Sequence, residues 1–314
     1  MLESLITVAK QVGILFILMS IGFVCNKKKL LNDISIKGIV ELLVLIVTPC
    51  LIVCAFQRPF EPRLLNGLGW ALGGAVLSHI IGIAVSYFLC SREKQKECVL
   101  RFATIFSNAG FMGIPLEYAL LGNDGVFFGA VYVVVFNLLC WTYGLFVMCS
   151  SLKDMKLVSL IFNPGTVGIF CGLPFFLFSW NMPEVINKPV EMMASLNTPL
   201  AMIVVGFYLA DAKFKTVLTY PKAYSATFLR LIAIPLLVLA AFMFLHPDNG
   251  IMATAVIIAS SAPVAALTSM LATRYSKDIS LSVGLVAGST LLSIITMPPI
   301  VGVAMWFFKI KAGG

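Results

Sequence analysis

Residues 106–122 read FSNAGFMGIPLEYALLG, and residues 259–266 read ASSAPVAA. The first stretch sets Asn108, Gly110, Gly113, Pro115 and Glu117 into an apolar run; the second does the same with Ser260, Ser261 and Pro263. These residue types suit the holding of a small anion rather than the making or breaking of bonds. Glycine and proline interrupt a helix and allow a second one to begin beyond the interruption. The start of a helix carries roughly half a positive charge. Two starts aimed at one place therefore supply about one positive charge, which suits a single carboxylate. Asn108, Ser260 and Ser261 add an amide and hydroxyls for the ligand or for the freed backbone.

Further polar residues within apolar runs extend the candidate site. Thr48 precedes Pro49, where a simple proline kink is the competing explanation. Asn137 either lines a cavity or hydrogen-bonds between helices, and Ser289, Thr290 and Ser293 share that choice. Arg230 either pairs with a substrate charge or snorkels along its helix. Glu117 and His79 are the candidates for proton or ion coupling. The bland alternatives are a helix-start role for Glu117 and a packing role for His79. No metal or organic cofactor is expected; the expected coupling ion is H+ or Na+.

Enzyme chemistry finds little support. His79 and His246 are the only histidines, so no H-E-x-x-H zinc site exists. The aspartates (Asp33, Asp124, Asp154, Asp211, Asp248 and Asp278) fall at the ends of apolar runs or between them, with no intramembrane pair for acid–base work. No glycine-rich phosphate loop with its lysine appears, which argues against ATP as the energy source. The reading is a secondary carrier for a small organic anion, a carboxylate, with an anion channel or an intramembrane enzyme as the alternatives.

The elements that must position these residues are transmembrane helices. The 314 residues are 60% hydrophobic and only 11% charged, with a mean hydropathy of +1.00; a soluble domain carries about 25% charged residues. A spanning helix needs roughly 20 mostly apolar residues, and ten such spans are predicted, near 5–25, 34–56, 66–90, 97–121, 126–150, 163–181, 190–210, 222–246, 251–275 and 279–308. The opening MLESLITVAK has no basic stretch and no A-x-A-like site follows it, so it is expected to remain as the first span. Of the 22 Lys and Arg, fourteen lie in alternate loops beginning with Lys27–Lys29, and five in the other loops and tails. The positive-inside rule then puts both termini outside the cytoplasm of a cell (inner) membrane. The net charge of +8 reflects this bias, with some attraction to anionic lipid, and not a nucleic-acid surface. Eight cysteines fall within spans or at their cytoplasmic ends, so no disulfide framework is implied.

The chain also repeats itself. Thr48-Pro49 and Thr198-Pro199 lie 150 positions apart, and Ser107 and Ser260 lie 153 apart. These matches fall in corresponding spans of two five-span halves, residues 1–150 and 151–314. Five is odd, so the second half must run inverted. The predicted fold class is an all-α polytopic membrane protein of ten helices in two inverted five-helix repeats, with broken crossover helices 4 and 9. Broken helices at corresponding positions point to the binding site of a secondary transporter.

The stretches SNAGFMGIPLEYALLG, SSAPVAALTSMLATRY and STLLSIITMPPIV resemble the auxin efflux carrier family, within the wider group that includes bile-acid sodium symporters. The resemblance covers nearly the whole chain. It implies a scaffold of helices 1, 2, 6 and 7, a moving unit of helices 3–5 and 8–10 working by an elevator-like alternating access, and a homodimer through the scaffold. It places Asn108, Pro115, Ser261 and Pro263 at the crossover. The short loop SLKDMKLVSLIF between the halves is similar to that of the bacterial branch, whose members resemble malate or malonate permeases.

Overall fold

The computed structural model describes residues 2–89, 94–149, 164–211 and 217–310. The loop SLKDMKLVSLIF and, from the basic-residue and cysteine readings, Cys90, Arg92, Lys213, Lys215 and Lys311 lie outside them. The described chain is helical: α1 (Leu2–Lys27), α2 (Asp33–Phe56), α3 (Pro62–Leu89), α4 (Lys94–Ile105), a run Ala109–Met148 that holds α5 (109–121) and α6 (123–148), α7 (Pro164–Leu177), α8 (Glu184–Ala210), α9 (Pro221–Leu245), α10 (Gly250–Ser261), α11 (Leu267–Arg274) and α12 (Ile279–Phe307). Among the described residues, seven helical runs are long and apolar enough to cross a membrane, which makes this a multi-pass membrane protein.

The breaks expected in helices 4 and 9 are present, and the expected spans differ from these helices where the fourth runs into the fifth. Spans 97–121 and 251–275 are each made of two short helices, α4 with α5 and α10 with α11. Spans 97–121 and 126–150 are joined, because α5 runs into α6 with a single interruption. That interruption is Gly122, whose φ of 64° and ψ of −151° only glycine adopts without strain.

Local sequence explains the helix ends. Asn32 Oδ1 accepts from the N–H groups of Ile34 and Ser35 at the start of α2, Asn249 Oδ1 from Met252 at α10, and Asp278 Oδ1 from Leu281 at α12. Pro62 and Pro221 open α3 and α9, where a missing N–H costs nothing. Besides the widened turn at 140–144 in α6, which has no proline beside it, three helices contain one widened turn: 43–47 in α2, 109–113 in α5 and 229–233 in α9. Each ends two residues before a proline, namely Pro49, Pro115 or Pro235. The N–H groups of Thr48, Ile114 and Ile234 reach back five residues, to Leu43, Ala109 and Leu229. An extra residue in the turn relieves the clash of a proline ring with the carbonyl four residues earlier.

Glycine sets how closely the helices approach. A Cβ built on Gly22 of α1 would run into the carbonyl oxygen of Ile203 in α8, and one on Gly206 of α8 into the carbonyl oxygen of Met19. In α7, Gly168 and Gly172 lie against Ile52, Pro49, Phe56 and Val53 of α2. Small residues at such crossings let backbones pack tightly where lipid supplies no hydrophobic drive.

Candidate functional site

The interruptions after α4 and after α10 meet. Asn108 N–H donates to the Pro263 carbonyl at 2.7 Å, and Ala265 N–H to the Phe106 carbonyl at 3.0 Å. Ser107 and Val264 thus form one antiparallel bridge in the middle of the helical body. Val264 N–H is taken by Ser289 Oγ of α12 at 3.0 Å. The freed backbone groups, which would each cost several kcal/mol in hydrocarbon, therefore satisfy one another.

On one side of this crossing lies a cavity of about 290 Å³. Asn108 and Phe111 border it from the first turn of α5, and Ala266, Ser269, Met270 and Thr273 from α11. Val204, Val205, Tyr208, Leu209 and Asp211 of α8 form a second wall, and Val283, Val286, Ala287 and Thr290 of α12 a third, with Val40 of α2. Two helix starts therefore border one cavity. Asn108 is only 5% exposed, and its Nδ2 has no acceptor among the described residues. The walls are otherwise largely aliphatic, as in most small-molecule sites. Asp211, at the far end, accepts from Asn26 Nδ2 of α1 at 2.8 Å.

On the other side, the carbonyl ends of α4 and α10 face Arg230. Its Nη1 donates to the carbonyls of Thr104 (3.2 Å) and Ile105 (3.0 Å), and its Nη2 to that of Ser260. Arg230 is fully buried and does not border the cavity.

The residues singled out in the sequence thus separate into groups. Asn108, Ser260, Ser261 and Pro263 come together at the crossing. The hydroxyls of Ser260 and Ser261 donate to the carbonyls of Ile257 and Ile258, within their own helix. Gly113 faces the Ala259 backbone, its built Cβ 3.5 Å from the Ala259 Cα, and Pro115 sits in the turn that follows. A Cβ built on Gly110 meets nothing within 4 Å, so no backbone packs closely against it. Thr48 Oγ1 donates to Asn197 Oδ1 at 3.1 Å, joining α2 to α8 away from the cavity. Asn137 Nδ2 donates to the Val133 carbonyl of its own helix at 2.9 Å.

Glu117 and His79 are both fully buried and outside the cavity lining. The Glu117 carboxyl occupies the space that a side chain at Gly129 would need, with Gly113 on its other flank, and neither oxygen has a protein partner among the described residues. His79 Nδ1 lies 2.8 Å from the Ala75 carbonyl, and its ring packs 5.2 Å from Tyr132 and 5.9 Å from Phe106.

Phe111, Tyr208 and Ser269 were not singled out in the sequence, and Asp211 was read there only as one of the aspartates outside the apolar runs. Asn197 was also passed over, although it directly precedes Thr198-Pro199, the second copy of the Thr-Pro repeat.

Residues 7–301 match a family described as membrane transport protein. An uncharacterized transporter of Methanothermobacter thermautotrophicus is 22% identical over 291 residues, spanning 90% of this chain and 93% of its own. An uncharacterized transporter of Methanocaldococcus jannaschii is 27% identical over 243 residues, spanning 74% of this chain and 73% of its own.

Proposed function

Because the chain belongs to the membrane transport protein (auxin efflux carrier) family, we propose that it is a secondary carrier for a small organic anion, a monocarboxylate, bound beside the α4–α5/α10–α11 crossing. The observation that carries this reading is the cavity bordered by the first turns of both α5 and α11, with the unpaired Asn108 amide at its edge. Helix starts favour one negative charge, and the aliphatic walls suit an apolar body. Among the described residues, a second carboxylate would meet no cation in the lining, and Asp211 at the far end would repel it.

The architecture proposed with it is ten spans in two inverted five-helix repeats, 1–150 and 151–314. By resemblance, helices 1, 2, 6 and 7 form a scaffold that dimerises, and the rest moves as an elevator that carries the crossing from one side to the other. The cavity extends from Asn108 to the ends of α8 and α11, which the positive-inside rule assigns to the cytoplasm of the cell membrane. In that orientation both termini are outside. A lone cysteine replacing the exposed Leu30 on a cysteine-free background should escape an impermeant maleimide in intact cells and react after permeabilisation. Labelling in intact cells would reverse the orientation.

Substrate class is read by thermal unfolding of the purified protein against panels of mono- and dicarboxylates, since a ligand of the folded state raises its stability. Monocarboxylates should raise the melting temperature and dicarboxylates should not. Asn108→Ala removes one hydrogen bond to a charged group, about 1.5–3 kcal/mol, or roughly tenfold or more in affinity. Equal affinity in the variant would remove Asn108 from the site. Saturable uptake with counterflow in vesicles separates the carrier from a channel, which would instead pass unitary currents.

A further inference from the structure

The geometry points to Arg230 as a tethered cation in the place a coupling metal ion would need, making the crossing independent of sodium and potassium. The last carbonyls of a helix have no donor in their own helix, and they carry roughly half a negative charge. Here two such ends, α4 and α10, converge in a region closed to solvent: Thr104 and Ser260 are both fully buried. Together they call for about one positive charge. Oxygen ligands from two converging helix ends are also what a small hard cation binds.

In this chain the place is taken. The Arg230 guanidinium donates to the Thr104, Ile105 and Ser260 carbonyls, bringing together groups 126, 125 and 30 residues away in sequence. Among the described residues, no carboxylate makes an ion pair with it. Its charge is therefore answered by the two helix ends and by no side-chain anion. A guanidinium does not lose its proton in a protein and has no acceptor capacity, so it neither leaves the site nor exchanges during a cycle. The widened turn before Pro235 carries Arg230 into this position. On the carbonyl side the fixed charges then nearly cancel. On the cavity side about one positive charge remains from the starts of α5 and α11, enough for one carboxylate without a co-transported metal ion.

This inference rests on the carrier reading only for the word coupling, because its test reads cation binding and not transport. The purified protein is unfolded thermally in sodium, potassium or choline chloride at equal ionic strength. The wild type should melt at one temperature in all three. Arg230→Ala leaves two helix ends uncompensated, and in choline chloride its melting temperature should fall on the order of 10 °C. Millimolar methylguanidinium or sodium should restore part of that loss by entering the emptied place. Arg230→Lys keeps the charge and should remain indifferent to the salt.

Selective stabilisation of the wild type by sodium would overturn the inference, as would Arg230→Ala melting like the wild type. So would equal losses in Arg230→Ala and Arg230→Lys with no recovery by small cations, which would make the role one of packing. Should Arg230→Ala fail to fold, Arg230→Gln read against Arg230→Lys gives the same decision. A wild type indifferent to cations that binds no carboxylate would sink the carrier reading and leave this one standing.

Discussion

Gly206→Ala is expected to lower the melting temperature of the purified protein by roughly 10 °C, and Gly22→Ala to do the same. The reason is the kind of atom each new methyl would meet. At Gly206 it is the carbonyl oxygen of Met19, and at Gly22 the carbonyl oxygen of Ile203. A side chain could rotate away, but a helix backbone cannot move without the whole of α1 shifting from α8. Overpacking typically costs 1–3 kcal/mol, and occasionally more; backbone against backbone belongs at or above the upper end. Gly13 of the same helix is the control. A Cβ there meets nothing within 4 Å, so Gly13→Ala should gain about 0.8–1.0 kcal/mol of helix propensity and clash with nothing. A Gly206→Ala protein that melts with the wild type would mean that α1 and α8 do not cross as closely as their backbones do here.

That pair also shows what kind of feature a sequence conceals. Gly22 and Gly206 are two of 24 glycines, and their spacing of 184 positions carries no local signal. The breaks were legible because they are chemical: Asn108, Gly113 and Pro115 in one run and Ser260, Ser261 and Pro263 in another are poor helix formers in an apolar setting. The meeting of those breaks was expected from the spacing of the matching stretches and from the family resemblance, not from the residues at the breaks themselves. The widened turns before Pro49, Pro115 and Pro235 were half legible, since proline announces a disturbance but not whether the helix kinks, breaks or takes an extra residue.

The cavity walls were not legible. In a membrane protein, residues facing lipid and residues facing a cavity are equally apolar, so Val204, Val283 and Val286 carry no mark of which way they face. Arg230 stood out as an ionisable group inside a span, but its partners are backbone carbonyls, which every residue possesses, so nothing in the sequence names them. Glu117 illustrates the same limit. Its niche is formed by the absence of side chains at Gly113 and Gly129, and an absence at a distance of twelve positions is not a pattern.

Asn108→Asp should weaken monocarboxylate binding on the order of a thousandfold, against about tenfold for Asn108→Ala. The substitution preserves the size of the side chain and exchanges its amide for a carboxylate at the cavity edge. Two unit charges about 4 Å apart interact by about 4 kcal/mol at an effective dielectric of 20, and at about 1.4 kcal/mol per decade this is close to three decades in affinity. The lost hydrogen bond adds to it. Among the described residues, no cation borders the cavity to offset the new charge: Arg230 lies behind the crossing, already held by three carbonyls. The ratio between the two variants therefore reads the charge of the ligand near Asn108, separately from the hydrogen bond. The same arithmetic applies to the substrate. A dicarboxylate brings to the wild-type cavity the surplus negative charge that Asn108→Asp brings from the protein, so both should be penalised to a similar degree. If Asn108→Asp binds monocarboxylates no more weakly than Asn108→Ala, the ligand carboxylate does not lie between the two helix starts. If the wild type binds dicarboxylates as tightly as monocarboxylates, a cation must enter the cavity with them.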